Sequence, residues 1–103
     1  MNNFKELKER IHTWGESRNL YTKGSIQGQV NKVSEEAEEV VVAMLENDYI
    51  ELIKELGDLF ISSINACKVL GVEPELCIAI SLDKIEKRSG KMIDGTFVKD
   101  SDV

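Results

Sequence analysis

Residues 26–70 read IQGQVNKVSEEAEEVVVAMLENDYIELIKELGDLFISSINACKVL, and this stretch determines the fold. Its first part predicts a helix over 26–45, because apolar residues recur on one helical face at Val30, Val33, Ala37, Val40, Val41 and Met44. The pair Asn47-Asp48 interrupts this pattern. Asp48 precedes Glu51 by three positions, which resembles a capping box and predicts a new helix over 49–70. Because the turn is short, the two helices are predicted to form an antiparallel hairpin.

The second helix of this hairpin is the most apolar segment of the chain. Its apolar residues cover most of the circumference, at Ile50, Leu52, Ile53, Leu56, Leu59, Phe60, Ile61 and Ile64. A helix that is apolar on nearly every side is buried on several sides, and in a short chain a second subunit is one way to cover it. Gly57 costs about 1 kcal/mol relative to Ala inside a helix, which predicts a close approach of another helix or of a metal site.

One further helix is predicted on each side of the hairpin. The first carries one apolar stripe, formed by Phe4, Leu7, Ile11 and Trp14, and is expected to end near Gly15, before the polar stretch 17–25. The last begins after Glu73, because Pro74 suits the first helical position. Residues 91–103 are predicted to be a loop or tail. The predicted fold is therefore a single all-α domain spanning the whole chain, a bundle of four helices.

Composition and charge exclude several function classes. The chain has 103 residues, of which 42% are hydrophobic, so a packed fold is expected. Acidic residues outnumber basic residues by 19 to 13, and the formal net charge is −6. This balance argues against binding to nucleic acid or to an anionic membrane. It still permits an anionic substrate, because bound cations can reverse the sign of a local site.

Cysteines and the amino-terminal sequence indicate the compartment. Cys67 and Cys77 do not form a CxxC pair, so a disulfide framework is not expected, and both are interpreted as small buried apolar residues. The start, MNNFKELKERIHTW, lacks the apolar core of a signal peptide. The longest apolar runs are much shorter than a membrane span. A cytoplasmic protein is expected.

Acidic residues of the central hairpin form pairs in register about its turn. Glu36 and Glu39 share a helical face because they are three positions apart, and so do Glu55 and Asp58. The midpoint of Glu39 and Glu55 is position 47, and the midpoint of Glu36 and Asp58 is the same position. Helices packed about 8–10 Å apart are therefore expected to bring the four carboxylates into one small volume.

Such a cluster is favourable when a cation lies within it. Without one, ionised carboxylates raise each other's pKa. Mg²⁺ and Mn²⁺ prefer oxygen ligands, whereas His12, the only histidine, lies outside the pattern. The alternative is a solvated acidic face, with Lys54 paired to Asp58. The register of the pairs, and the cost of placing acids in an apolar helix, favour the metal site.

These residues also resemble a known family. Glu35-Glu36-x-x-Glu39 followed by Glu55-x-x-Asp58 is similar to the motif of the MazG-like, all-α nucleoside triphosphate pyrophosphohydrolases. The resemblance implies hydrolysis of a (deoxy)nucleoside triphosphate to the monophosphate and pyrophosphate. It also implies a nucleotide as partner, and a homodimer or homotetramer with sites near the subunit contacts. The residues that the resemblance assigns to Mg²⁺, or Mn²⁺, are Glu36, Glu39, Glu55 and Asp58.

Several other residues have a predicted role in this reaction. Glu35 or Glu39 could accept the proton of the attacking water. A basic cluster near the end of the last helix could bind the leaving pyrophosphate, although a solvated helix end explains it equally well; it contains Lys84, Lys87, Arg88 and Lys91. Lys32 could contact phosphate or simply lie on a polar face. Trp14 could stack on a base, but a core position is more typical of an apolar stripe.

Two alternative functions remain open from the sequence. The stretch Glu35–Val41, followed by Glu55–Leu59, also resembles phosphoribosyl-ATP pyrophosphohydrolase of the same superfamily. The aromatic segment at Trp14 favours the MazG-like interpretation. A non-enzymatic helical adaptor, whose apolar third helix binds a partner protein, is the alternative from another class. The preferred base and sugar, the number of metal ions and the choice between dimer and tetramer stay open.

Overall fold

The computed structural model describes residues 2–102, so Met1 and Val103 lie outside the described residues. Within this range the helices are α1 (Phe4–Ser17), α2 (Leu20–Lys23), α3 (Ile26–Leu45), α4 (Tyr49–Leu70) and α5 (Pro74–Ile85). A short antiparallel pair of strands follows, β1 (Gly90–Ile93) and β2 (Thr96–Lys99), and a 3-10 turn covers Asp100–Asp102. The all-α prediction is confirmed.

The central hairpin has the predicted boundaries. The side chain of Ser25 accepts a hydrogen bond from the Gly28 backbone N–H at 3.0 Å and caps the start of α3. The side chain of Asp48 does the same for α4, because it accepts from the Glu51 N–H at 3.0 Å. Asn47 adopts the left-handed conformation, with φ of 55°, and turns the chain between the two helices. Three residues connect α3 to α4, so the helices return antiparallel and pack along their lengths.

The link between α4 and α5 also follows from local chemistry. Gly71 ends α4 with φ of 84°, a conformation in which a side chain would be strained. The Val72 N–H donates to the Cys67 carbonyl at 3.0 Å. Pro74 occupies the start of α5, as predicted.

The polar stretch 17–25 differs from the prediction, because it contains the short helix α2. Asn19 precedes this helix in the left-handed conformation, with φ of 59°. The hydroxyl of Tyr21 then donates a hydrogen bond at 2.6 Å to Oδ1 of the buried Asn65 on α4. The Tyr21 ring lies so close to Gly15 that a Cβ there would meet its atoms at 2.5 Å. These contacts attach α1 and α2 to α4.

The prediction of a loop or tail over residues 91–103 is wrong over residues 91–99. This segment is a β-hairpin in which Lys91 pairs with Val98 and Met92 pairs with Phe97. Its turn uses Asp94 and Gly95, both with positive φ (49° and 82°), as a two-residue hairpin turn requires. The sequence Asp-Gly between short apolar stretches was therefore the signal for a hairpin.

The core of the single chain is small. Among residues 2–102, the buried hydrophobic residues are Ala43 and Ile64. Helix α4 is not buried on several sides within the chain, since Ile50 is 73% exposed and Ile53 is 71% exposed. Within the described range, none of the helices combines the length and apolar character needed to cross a bilayer.

Candidate metal centre

The structure brings together the four acidic residues that the sequence pattern paired. Glu36 and Glu39 come from α3, and Glu55 and Asp58 come from α4. One carboxylate oxygen from each lies within 4.8 Å of the corresponding oxygen of every other member. We call these four residues the acidic cluster. Its geometry agrees with the register about position 47.

The acidic cluster does not depend on a close approach at Gly57. A Cβ added to Gly57 would meet nothing within 4 Å. The prediction that this glycine admits a neighbouring helix or a metal site is therefore wrong within the single chain. The carboxylates meet because residues three apart share a helical face and because the two helices are antiparallel.

Burial within the acidic cluster is uneven. Glu36 is buried, with 6% of the residue exposed, Glu55 is half-buried, and Glu39 and Asp58 are exposed. Within the part of the chain that the structure describes, Oε2 of Glu36 and Oε2 of Glu55 are sequestered and have no hydrogen-bond partner. A sequestered carboxylate oxygen without a partner is costly. These two oxygens therefore point to a group that would complete the site.

A lysine compensates part of the charge. Nζ of Lys32 lies 3.1 Å from Oε1 of Glu36 and 3.6 Å from Oε2 of Glu35. The hydrogen bond to Glu36 raises the pKa of Lys32, so its ammonium group is held in the charged form. One lysine beside Glu36 leaves the acidic cluster strongly negative.

The remaining charge acts on Glu55. The close approach of the Glu39 carboxylate, followed by that of Glu51, raises the pKa of Glu55 to about 7. Burial and the charge of Asp58 act in the same direction. Near neutral pH, Glu55 is therefore close to half-protonated when no cation is bound.

The donor set fits a hard divalent cation. All four side chains offer carboxylate oxygens, which suit Mg²⁺ and Mn²⁺. His12 lies elsewhere, with its ring packed edge-on against Tyr21 at 5.9 Å between centroids. The structure therefore provides no imidazole from this histidine to the acidic cluster, and the absence of soft ligands favours an oxygen-preferring ion.

The other predicted site residues are placed differently. The Glu35 side chain is 64% exposed and lies beside the acidic cluster through its pair with Lys32. Lys84, Lys87 and Arg88 are exposed and form no ion pair within residues 2–102. Lys84 lies in the last turn of α5, whereas Lys87 and Arg88 follow the helix. The structure thus supplies no contact that ties these three residues to the carboxylates.

Trp14 is not a core residue. It is 48% exposed, and the guanidinium of Arg18 lies over its ring at 4.6 Å from the centroid. Its indole borders a shallow hollow along α1, together with side chains such as Arg10 and Thr13. The ring is accessible to a ligand at this position.

Sequence reasoning missed the polar contacts that position α4. The hydrogen bond between Tyr21 and Asn65 joins residues 44 positions apart, so no local pattern could indicate it. Asn65, whose Oδ1 accepts the hydrogen bond from the Tyr21 hydroxyl, lies on the helix that also carries Glu55 and Asp58. This bond holds the helix bearing half of the acidic cluster against the amino-terminal helices.

Fold and site together define a class of protein, namely an all-α chain whose central hairpin presents four carboxylates suited to a divalent metal. A family model, the MazG nucleotide pyrophosphohydrolase domain, matches residues 25–93. The match covers α3, α4, α5 and β1, more than half of the chain, and the chain therefore belongs to this family. Membership supports nucleotide pyrophosphohydrolase activity in general. No curated protein and no solved structure gives a significant match to the chain.

Proposed function

We propose that this protein hydrolyses nucleoside or deoxynucleoside triphosphates to the monophosphate and pyrophosphate in a reaction that depends on Mg²⁺, with Mn²⁺ as a substitute. The observation that carries the proposal is the acidic cluster, in which oxygens of four carboxylates from α3 and α4 lie within 4.8 Å of one another inside a MazG domain. A charged cluster of this kind is unfavourable unless a cation balances it.

Glu36, Glu39, Glu55 and Asp58 are the residues that would hold the metal. The partnerless oxygens of Glu36 and Glu55 support this assignment, because ligation would satisfy both. A bound Mg²⁺ supplies neutralisation of phosphate charge and orientation of a water for attack at phosphorus. The chain's own task is to present the oxygens from two rigid helices, so that little rearrangement is needed.

Proton transfer is assigned to Glu35 or Glu39. A carboxylate must accept the proton of the attacking water at its oxygen, and it must lie near the reacting phosphate. Glu35 adjoins the acidic cluster through Lys32 and is exposed to solvent. Glu39 belongs to the cluster itself and is also exposed, so both meet the requirement of access.

Lys32 is proposed to contact the substrate phosphates. Its ammonium lies beside Glu36, and 54% of its side chain is exposed. Lys84, Lys87 and Arg88 are proposed to bind the leaving pyrophosphate through their exposed cationic groups at and just beyond the end of α5. Trp14 is proposed to stack on the base with its exposed indole.

We also propose that the protein is a homodimer or homotetramer that covers the apolar surface near the hairpin turn. Leu45, Ile50 and Ile53 are each at least 70% exposed, which is unusual for clustered large apolar residues. Light scattering coupled to size exclusion is expected to show a dimer or tetramer. Ile50→Asp is expected to weaken the association of the subunits, whereas Met92→Lys in β1 should leave this association unchanged. A monomeric wild-type protein would refute this part.

The test of the activity is a substrate panel with defined metals. Pyrophosphate release is measured from ribo- and deoxyribonucleoside triphosphates and from phosphoribosyl-ATP, with Mg²⁺, with Mn²⁺ and with chelator. Release from a nucleoside triphosphate in Mg²⁺, abolished by chelator, is expected. Exclusive use of phosphoribosyl-ATP would assign the related reaction, and inactivity with every substrate and metal would favour a non-enzymatic adaptor.

A matched pair of variants tests the metal ligands. Glu36→Gln keeps the size of a buried side chain but removes the charge, and it is expected to lower turnover by more than the roughly 10–100-fold typical of residues that only support ligands. Glu38→Gln removes the same charge from an exposed position of the same helix outside the acidic cluster, and it should retain activity. Equal activity of the two variants would exclude Glu36 as a ligand.

A further inference from the structure

Two thiols meet where α4 joins α5, away from the acidic cluster. Sγ of Cys67 lies 3.8 Å from Sγ of Cys77. Cys67 is half-buried in the last turns of α4, and Cys77 is exposed near the start of α5. The sequence-based interpretation of both cysteines as buried apolar residues is therefore wrong for Cys77.

Hydrogen bonds and ion pairs position the backbone at each of the two cysteines. The Cys67 carbonyl accepts from the Val72 N–H at 3.0 Å, and the Cys77 N–H donates to the Glu73 carbonyl at 3.4 Å. The start of α5 is also fixed to α1, because Lys8 forms ion pairs with Glu73 and with Glu75. The contact between the sulfur atoms thus lies between the hydrogen-bonded end of α4 and the first turn of α5.

We propose that Cys67 and Cys77 form a reversible intramolecular disulfide that locks α5 to α4. The sulfur atoms are already at van der Waals distance, and a disulfide requires about 2.05 Å, so rotation of the two side chains with a small shift of the helix ends brings them together. The link closes a loop of few residues, which agrees with the ten-position separation of the two cysteines.

The oxidant is a peroxide. The Cys77 thiolate attacks hydrogen peroxide, so that an S–O bond forms and the O–O bond breaks; the leaving hydroxide takes up the proton that the thiol released and departs as one water. The Cys67 sulfur then attacks the Cys77 sulfenic acid, the S–O bond breaks, and a second water leaves with the remaining thiol proton. Overall, two thiols are oxidised to one disulfide and one peroxide is reduced to two waters. A dithiol reductant reverses the reaction by exchange.

The different surroundings of the two thiols determine this order. Cys77 is exposed and meets the oxidant first. Desolvation, followed by the contact with Cys77, raises the pKa of Cys67, so this thiol forms the reactive thiolate less readily and is disfavoured as the first nucleophile.

The Cys67–Cys77 disulfide restrains α5 without contacting the acidic cluster. Cys67 follows Asp58 by nine residues on α4, or roughly 13 Å along the helix axis at 1.5 Å per residue. Among the described residues of α5, Pro74 is the buried one, so a covalent link adds substantially to the attachment of this helix. Lys84, at the far end of α5, is restrained together with it.

The experiment uses the full chain as wild type, Cys67→Ser and Cys77→Ser. Each protein is treated with hydrogen peroxide, alkylated and digested with trypsin without reduction. The wild type is expected to give a linked pair of peptides, residues 55–68 and 69–84, and to migrate as a single chain without reductant. Dithiothreitol should separate the peptides, and neither variant should give them.

Two further readouts test whether the disulfide restrains α5. In the oxidised wild type we expect a higher melting temperature and slower tryptic cleavage after Lys84 in the native protein, both reversed by dithiothreitol. Disulfide-linked dimers through Cys77, alkylation of both thiols after peroxide, or a linked pair without any change in melting or cleavage would each overturn the proposal. These results do not depend on the metal or on nucleotide hydrolysis.

Discussion

Carboxylates occur in two contrasting settings in this molecule. Between α1 and α5, Glu73 and Glu75 share the ammonium of Lys8. Between α3 and α4, four carboxylates face one another, and Lys32 contacts Glu36 among them. The pKa values respond in opposite directions: the hydrogen bond from Lys8 lowers the pKa of Glu75, whereas the neighbouring Glu39 raises the pKa of Glu55 to about 7.

The contrast indicates what each region is for. Where α1 meets α5, the fold places the ammonium of Lys8 beside two carboxylates and so balances part of their negative charge. At the acidic cluster it leaves an excess of negative charge and two sequestered oxygens without partners among residues 2–102. Uncompensated carboxylates on rigid helices are typical of a site that is completed by a ligand.

The largest expected effect is stabilisation by metal. The proposed binding of Mg²⁺ to the folded acidic cluster, and not to the unfolded chain, should stabilise the fold by about 2.7 kcal/mol when the ion is present at one hundred times its dissociation constant. Differential scanning calorimetry of the wild type with Mg²⁺ and with chelator measures the shift. Asp58→Asn should lose most of this stabilisation by Mg²⁺. Glu75→Gln, which alters the Lys8 ion pairs between α1 and α5, should keep it. A melting temperature that ignores Mg²⁺ would contradict a preformed site.

The second prediction concerns the polar contact that joins the amino-terminal helices to α4. Tyr21→Phe removes the donor to Oδ1 of Asn65, a residue that is 4% exposed. A buried acceptor left without its partner costs about 1–3 kcal/mol, and denaturant titration should show this loss. Tyr49→Phe is the matched control, because Tyr49 is 67% exposed. Equal stability of the two variants would show that the bond is not important.

The sequence predicted the central hairpin because its signals are local. The boundaries of α3 and α4 follow from apolar periodicity and from caps such as Asp48, which involve neighbouring residues. Once the turn is placed at position 47, helical geometry determines that Glu39 faces Glu55. The same reasoning could not find the contact of Tyr21 with Asn65, because tertiary packing of distant residues determines it.

Another feature shows where local reasoning failed. The β-hairpin was missed although Asp94-Gly95 is a strong turn signal, because its strands have four residues each and too few apolar positions to show alternation. The apolar residues Ile50 and Ile53 are exposed in the single chain, which agrees with the expectation that a second subunit is one way to cover this helix. Their apolar character predicted burial, and the packing of one chain does not supply it.

The third prediction is a pH dependence of the metal-free protein. Glu55 has an ordinary pKa of 4.5 and a folded-state pKa of about 7, so the folded state retains a proton that the unfolded state releases. This contribution to stability is complete below pH 4.5 and is lost as the pH rises through 7. Glu55→Gln lacks it. In chelator, the stability of wild type relative to this variant should therefore fall between pH 5 and pH 8.

The comparison with Glu55→Gln is needed because His12 acts in the opposite direction. Desolvation lowers the pKa of His12 below its ordinary 6.5, so its contribution is present above pH 6.5 and is lost as the pH falls. Both proteins contain His12, so its contribution cancels in the difference between their free energies of unfolding. A difference that is constant with pH would show that the Glu55 carboxyl group is not perturbed by its neighbours.

The smallest expected effect on stability is at the Lys8 ion pairs between α1 and α5. Lys8→Met removes the ammonium that Glu73 and Glu75 share, and both acids are exposed, so water replaces much of the lost interaction. Exposed ion pairs contribute about 0–1 kcal/mol, and denaturant titration should give a loss in this range, with the response to Mg²⁺ unchanged. Lys5→Met, on the same helix at an exposed position without an ion pair among the described residues, is the matched control. A loss of Mg²⁺ stabilisation in Lys8→Met would mean that the two regions are coupled, since only the acidic cluster should respond to the metal.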